Sequence, residues 1–194
     1  MGPRTTDAPQ RVVAAAADML ARVGLNATSI REVTKAAHAP LGSTYHHFPG
    51  GKQELLARAT TLAGDKVDAL LEKLLQEGAV SGIAQFLQLW RERLLRSNFD
   101  AGCPVLAASV EAPVEAVPSQ ARGAAAVVFA RWEQRLGNAL IEAGHAPAQA
   151  AVQATMIIAG VEGAVAMCRA MQDIGPFDRV ATQLLALAEA PRTA

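Results

Sequence analysis

The sequence predicts an all-α fold, and three observations carry that expectation. Apolar residues recur at spacings of three and four along most of the chain, while strict alternation of β-branched residues is absent. Alanine dominates an apolar content of 51%, with aromatics at only 4%, and alanine opposes helix formation least. Gly and Pro gather at a few sites, where they separate helical stretches. A chain of 194 residues can build its core without disulfides or metals.

Taken in order, residues 1–6 read as an arm, and Asp7 with Gln10 forms a capping-box pattern for a first helix. Val12, Val13, Ala16, Leu20 and Val23 give that helix a buried face, and Gly24 ends it. Ser29-Ile30-Arg31-Glu32 is a second capping box, with Thr28 the other candidate cap. Ile30, Val33 and Ala37 then face inward, and Arg31 and Lys35 share the outer face. Pro40 breaks this helix at His38-Ala39, because proline disfavours helical geometry in the residue before it. A short polar helix follows from Leu41 to Pro49-Gly50-Gly51. Two short helices after a longer one match a helix-turn-helix, although the corner of a helical bundle would read the same way.

From Lys52 the chain continues as a long helix to about residue 75 and another from about 83 to 98. A short apolar segment follows Gly102-Cys103-Pro104, and Pro113 and Pro118 delimit a loop. Helices over about 119–143, 148–171 and 177–188 complete the chain. The helix from 148 is apolar on most sides, so burial on more than one face is expected. Domain boundaries are expected at 1–52 for the N-terminal module and 53–194 for the larger helical part.

Net charge is zero, which excludes a uniformly basic nucleic-acid binder. Residues 1–55 nevertheless carry +2 and the remainder −2, compatible with a DNA-facing N-terminus. Two cysteines make neither a disulfide framework nor a zinc site, and this suits a reducing cytosol. No signal peptide is evident, and Met1-Gly2 through Thr6 matches the myristoylation pattern without a second membrane signal. The most apolar stretch, 154–167, contains Glu162 and is too short to span a bilayer. A cytoplasmic chain with no membrane partner, no cofactor and no metal is expected.

The run Gly42-Ser43-Thr44-Tyr45-His46-His47-Phe48, then Lys52, preceded by Thr28-Ser29-Ile30-Arg31-Glu32-Val33, resembles the TetR-type transcriptional regulators. The match covers roughly residues 8–60. His46-His47-Phe48-Pro49-Gly50-Gly51-Lys52 with the later Gly102-Cys103-Pro104 is similar to the branch of the lincomycin-resistance repressor and its flavonoid-responsive relatives. The resemblance implies a ligand-responsive homodimeric repressor on a palindromic double-stranded DNA operator. It implies phosphate contacts for Thr28, Ser29, Arg31, Tyr45 and Lys52, and groove-facing positions for Pro40, Leu41, Ser43 and His46. Thr44 is counted with this set, and His47 serves as a phosphate contact or a brace. Phe48 is expected in the core. Three features depart from the pattern: Thr44 replaces a larger apolar residue, the recognition helix holds no Lys or Arg, and an additional glycine precedes Lys52.

The same resemblance implies a small-molecule cavity, for an apolar or aromatic effector, with candidate wall residues Phe86, Trp90, Cys103, Phe129, Trp132, Met156 and Cys168. An aromatic pair four residues apart, such as Phe86 and Trp90, is more often plain core. Pairing through the last two long helices is implied too, with Gly160, Gly163, Phe177 and Leu184 as interface candidates, although both glycines could serve packing within one subunit. Glu162 either orients a polar ligand or pairs with Arg131, Arg135 or Arg169, since buried charges are normally paired. A helical small-molecule carrier without DNA binding is the alternative function. An enzyme using Cys103 and His145 lacks any feature that would order the pair, so no catalytic residue is expected.

Overall fold

The computed structural model describes residues 8–112 and 119–189. The N-terminal arm, the Asp7 cap and the loop between Pro113 and Pro118 lie outside them. Every regular element among the described residues is helical: α1 (Ala8–Ala27), α2 (Ile30–Ala36), α3 (Leu41–His47), α4 (Gly51–Leu75), α5 (Ala79–Arg96), α6 (Pro104–Val110), α7 (Gln120–Glu142), α8 (Pro147–Met171) and α9 (Gly175–Ala188). The boundaries follow local chemistry. Ser29 caps α2 by accepting from the Glu32 N–H at 3.2 Å, as the Ser-x-x-Glu spacing predicts. Gly24 leaves helical geometry at φ 83°, which kinks α1 and leaves Leu25 to Ala27 as a separate last turn.

The described residues form two compact units. The first comprises those of Met1–Asp65 and Cys103–Val128. Its core joins Val12 and Ala16 of α1, Val33 and Ala37 at α2, Phe48, and Leu55 and Ala59 of α4. Phe48 is 1% exposed, and burying such a side chain contributes about 2–3 kcal/mol. Arg58 lies over its ring at 5.2 Å. On α4, Gly64 permits the approach of α7, because a Cβ there would overlap the Val128 side chain.

The second unit comprises the described residues of Lys66–Gly102 and Phe129–Ala194. Here α8 and α9 form an antiparallel hairpin. His145 Nε2 meets the Ala188 carbonyl at 3.1 Å, and Gln153 donates to the Leu187 carbonyl at 2.8 Å. These bonds satisfy carbonyls that the end of α9 would otherwise leave unpaired. Arg91 of α5 forks onto Asp178 of α9 at 2.8 and 3.2 Å. Arg135 of α7 forks onto Asp68 of α4 at 2.7 and 3.0 Å. The Arg135 hydrogen bond holds the Asp68 carboxyl below its ordinary range, against the opposing effect of burial. Stability from this pair is therefore present at neutral pH and fades as acid protonates Asp68. Arg135 is thus taken by Asp68 and Glu72, which removes one of the three partners expected for the buried Glu162.

Helix α8 also corrects the sequence estimate of its apolar length. At 25 residues and a mean hydropathy of 1.6 it has the dimensions of a membrane-crossing helix, with 44% of that window buried inside the protein. It packs on α9 and α5, as a helix of the protein's own core does.

Candidate nucleic-acid interface

Helix α3 presents two chemically different sides. Leu41 and Tyr45, one turn apart, are 42% and 55% exposed. Pro40, His46 and His47 are exposed beside them, and Ser43 is half-buried. The two imidazoles pack edge to face at 5.6 Å. The opposite side carries Thr44 and leads into Phe48, both buried. On α2, Arg31 and Lys35 are exposed and one turn apart, with Ser29 half-buried at the helix entry.

Two predicted DNA contacts do not survive this geometry. Thr28 is 1% exposed, and its hydroxyl donates to the Gly24 carbonyl at 2.6 Å. Thr44 is 2% exposed, and its hydroxyl donates to the Pro40 carbonyl at 3.1 Å. Both side chains face the core, where a buried hydroxyl must find an acceptor, so neither reaches outward to a phosphate. Thr44 can take a position suited to an apolar residue because the start of its own helix satisfies it.

The connection between α2 and α3 is a Schellman turn. His38 donates from its backbone to the Lys35 carbonyl at 3.2 Å, and Ala39 donates to the Thr34 carbonyl at 3.0 Å. His38 thereby sits at φ 50°, a position glycine usually fills. The sequence marked this break through Pro40; the left-handed residue before it carried no separate signal.

Lys52 lies at the head of α4, half-buried, and donates through Nζ to the Asn26 carbonyl at 2.9 Å. Three N–H bonds are available to an ammonium, so two remain for a phosphate. The additional glycine supports this placement: Gly51 adopts φ 63°, and Gly50 donates to the Glu54 carboxylate at 2.8 Å, closing the turn into α4.

An exposed Leu-Tyr-His face on a short helix behind a two-helix brace is the arrangement of a major-groove reader. Residues 12–59 match the family model "Bacterial regulatory proteins, tetR family", and residues 79–183 match "Transcriptional regulator LmrA/YxaF-like, C-terminal domain". The chain belongs to the TetR family. It is 38% identical over 197 aligned positions to an uncharacterized HTH-type transcriptional regulator of Mycobacterium tuberculosis, covering 98% of this chain and 97% of that protein. Its fold is similar to the regulatory protein TetR from Rhodobacter sphaeroides, with TM-score 0.83, 23% identity and coverage of 94% and 99% of the two chains. It is similar also to a cysteine mutant of the TetR family regulator CifR complexed with 26 bp double-strand operator DNA, with TM-score 0.73, 19% identity and coverage of 98% and 99%.

This TetR-family chain is therefore a DNA-binding transcriptional regulator and not an enzyme. Its buried cysteines fit that role. Burial pushes the Cys168 thiol up, which suppresses the reactive thiolate. His145, the base considered beside Cys103, has its Nε2 on the end of α9.

The expected effector residues fall in both units of the regulator. Phe86, Trp90, Trp132 and Cys168 are buried in the second unit, and Phe129 is half-buried with its ring edge to face on Trp132 at 5.6 Å. Cys103 is buried in the first. Met156 is 48% exposed, so it does not line an interior wall. Two surface recesses of the second unit are polar instead. One of about 350 Å³ is bordered by Glu72, Gln76, Arg131, Arg135 and Glu142. The other, about 560 Å³, is bordered by Asn98, Asp100, Arg169 and Gln172. Neither touches any of the seven expected residues.

Among the interface candidates of this regulator, Phe177 and Leu184 are 2% and 3% exposed and pack within the protomer. Their side chains are consumed by the α8–α9 hairpin, which corrects their assignment to a partner contact. Gly160 serves the same hairpin, since a Cβ there would press on Leu184 and Val180 at 3.1–3.3 Å. Gly163 faces open space. The sequence reading missed the stripe around it: Val152, Met167 and Met171 are exposed on α8 along with Met156. Their helical spacing was visible, but a helix apolar on all sides hides which side stays uncovered.

Proposed function

We propose that this regulator is a cytoplasmic homodimeric repressor, released from a palindromic operator by a small, largely apolar or aromatic molecule. The observation that carries the reading is the outward α3 face of Leu41, Tyr45, His46 and His47, flanked by Lys52 at the head of α4. Tyr45 and Lys52 contact phosphates, with Ser29 and Arg31 holding the backbone at the entry to α2. Pro40, Leu41, Ser43 and His46 face base edges and thymine methyls. Without a Lys or Arg in α3, bidentate guanine reading is absent from the helix itself.

Dimerisation uses the uncovered α8 stripe of Val152, Met156, Gly163, Met167 and Met171, an apolar surface suited to a two-fold self-contact. The effector site draws on Phe86, Trp90, Phe129, Trp132 and Cys168 of the second unit, apolar and aromatic in the way of ligand pockets. Effector binding weakens DNA binding, and DNA weakens effector binding by the same factor.

The test is retention of a labelled duplex from the gene's own upstream region at moderate salt, followed by a screen of aromatic small molecules for release. Retention of a palindrome-bearing fragment and its release by one compound are expected. Retention of none of the upstream fragments would sink the repressor reading.

A further inference from the structure

The last turn of α1 carries an unusual pair of bonds. After the break at Gly24, the successive backbone N–H groups of Leu25 and Asn26 point to one acceptor. That acceptor is the carboxylate of Glu111, just past α6: Leu25 N–H donates to Oε1 and Asn26 N–H to Oε2, each at 2.9 Å. The Asn26 side-chain amide donates to the neighbouring Ala112 carbonyl at 3.1 Å. Two successive N–H groups aimed at one point form a nest for an anion, and here the anion comes from 86 residues away. Gly24 and Glu111 depend on one another, because a Cβ at Gly24 would overlap Glu111 Oε1.

Asn26 is gripped on its other side as well. Its carbonyl accepts from Lys52 Nζ at 2.9 Å. One residue thus links a carboxylate beyond α6 to the ammonium at the head of α4, and the Thr28 hydroxyl on the Gly24 carbonyl closes the same elbow. The long-range field of Glu111 opposes DNA, so its charge by itself weakens binding.

We propose that Glu111 is a positioning residue for DNA binding: by filling the nest at Leu25 and Asn26 it fixes the Asn26 carbonyl, and through it the Lys52 ammonium. The assignment rests on Lys52 as a phosphate contact. Positioning and electrostatics predict opposite signs. Removing the charge tightens binding if Glu111 acts only through its field, and weakens it if Glu111 holds Lys52 in place.

The experiment uses a duplex recovered by the wild-type protein from a random-sequence pool, with affinities measured for Glu111→Gln, Glu111→Ala, Lys52→Ala and the Glu111→Ala/Lys52→Ala double variant. Glu111→Ala should weaken binding about tenfold, the scale of one charge-assisted hydrogen bond. Glu111→Gln, which matches the native shape and keeps one acceptor oxygen, should lose less. In the Lys52→Ala background the Glu111→Ala effect should shrink to less than about twofold, since the two act on one contact. Unchanged or tighter binding by both Glu111 variants, or an equal loss with and without Lys52, would overturn the assignment. If Lys52→Ala alone leaves affinity and salt slope unaltered, the phosphate role of Lys52 falls, and this assignment falls with it.

Discussion

Helices α3 and α8 each leave one side uncovered, with opposite chemistry. The seven-residue α3 exposes Leu41, Tyr45, His46 and His47, while the 25-residue α8 exposes Val152, Met156, Met167 and Met171. A hydroxyl and two imidazoles lose little by staying in water and gain most from a polar, charged surface. Four aliphatic or thioether side chains gain from leaving water, at about 25 cal/mol for each Å² of apolar surface removed. An uncovered face is therefore informative through what would complete it. On the proposed reading, nucleic acid completes α3 and a second apolar surface completes α8.

The largest effect should come from a charge placed in the α8 stripe. Met167→Glu should shift the protein to monomer in sedimentation and remove operator binding with it, since an unpaired carboxylate in an apolar contact costs about 3 kcal/mol or more. A dimer that persists unchanged would break the contrast by making the stripe ordinary surface.

A moderate effect is expected on α3. Tyr45→Phe keeps the ring and removes the hydroxyl, so operator affinity should fall by about 1.5 kcal/mol, roughly tenfold, with thermal stability unaltered. Equal affinities for the two proteins in a titration would remove Tyr45 from the phosphate contacts.

The smallest effect should come from the inner side of the same helix. Thr44→Val deletes a hydroxyl bonded to the Pro40 carbonyl, a carbonyl that also accepts from the Thr44 backbone at 3.2 Å. Thermal stability should change by less than about 1 kcal/mol, and DNA affinity should stay as it was. A tenfold affinity loss without a stability change would return Thr44 to the DNA-facing set.

Much of this was legible in the chain. The Ser29 cap, the break ahead of Pro40 and the Leu41–His47 helix follow from interactions within four residues, so local spacing sufficed. The resemblance carried by Tyr45, the two histidines, Phe48 and Lys52 supplied the family. What failed was rotation about a helix axis. Thr28 and Thr44 are polar and lie among exposed neighbours, yet both turn inward and satisfy themselves on nearby carbonyls. Phe177, Leu184 and Met156 failed for the converse reason, because apolar character does not distinguish burial against one's own chain from exposure toward another.

The sequence by itself determined the helices and their breaks, because each depends on backbone propensity and on bonds between near neighbours. Tertiary structure alone decided which side of α8 stays open and which carboxylate fills the nest beyond Gly24. Those choices depend on contacts across tens of residues, where the gain from packing must exceed the entropy of closing a long loop, and no local pattern encodes that balance.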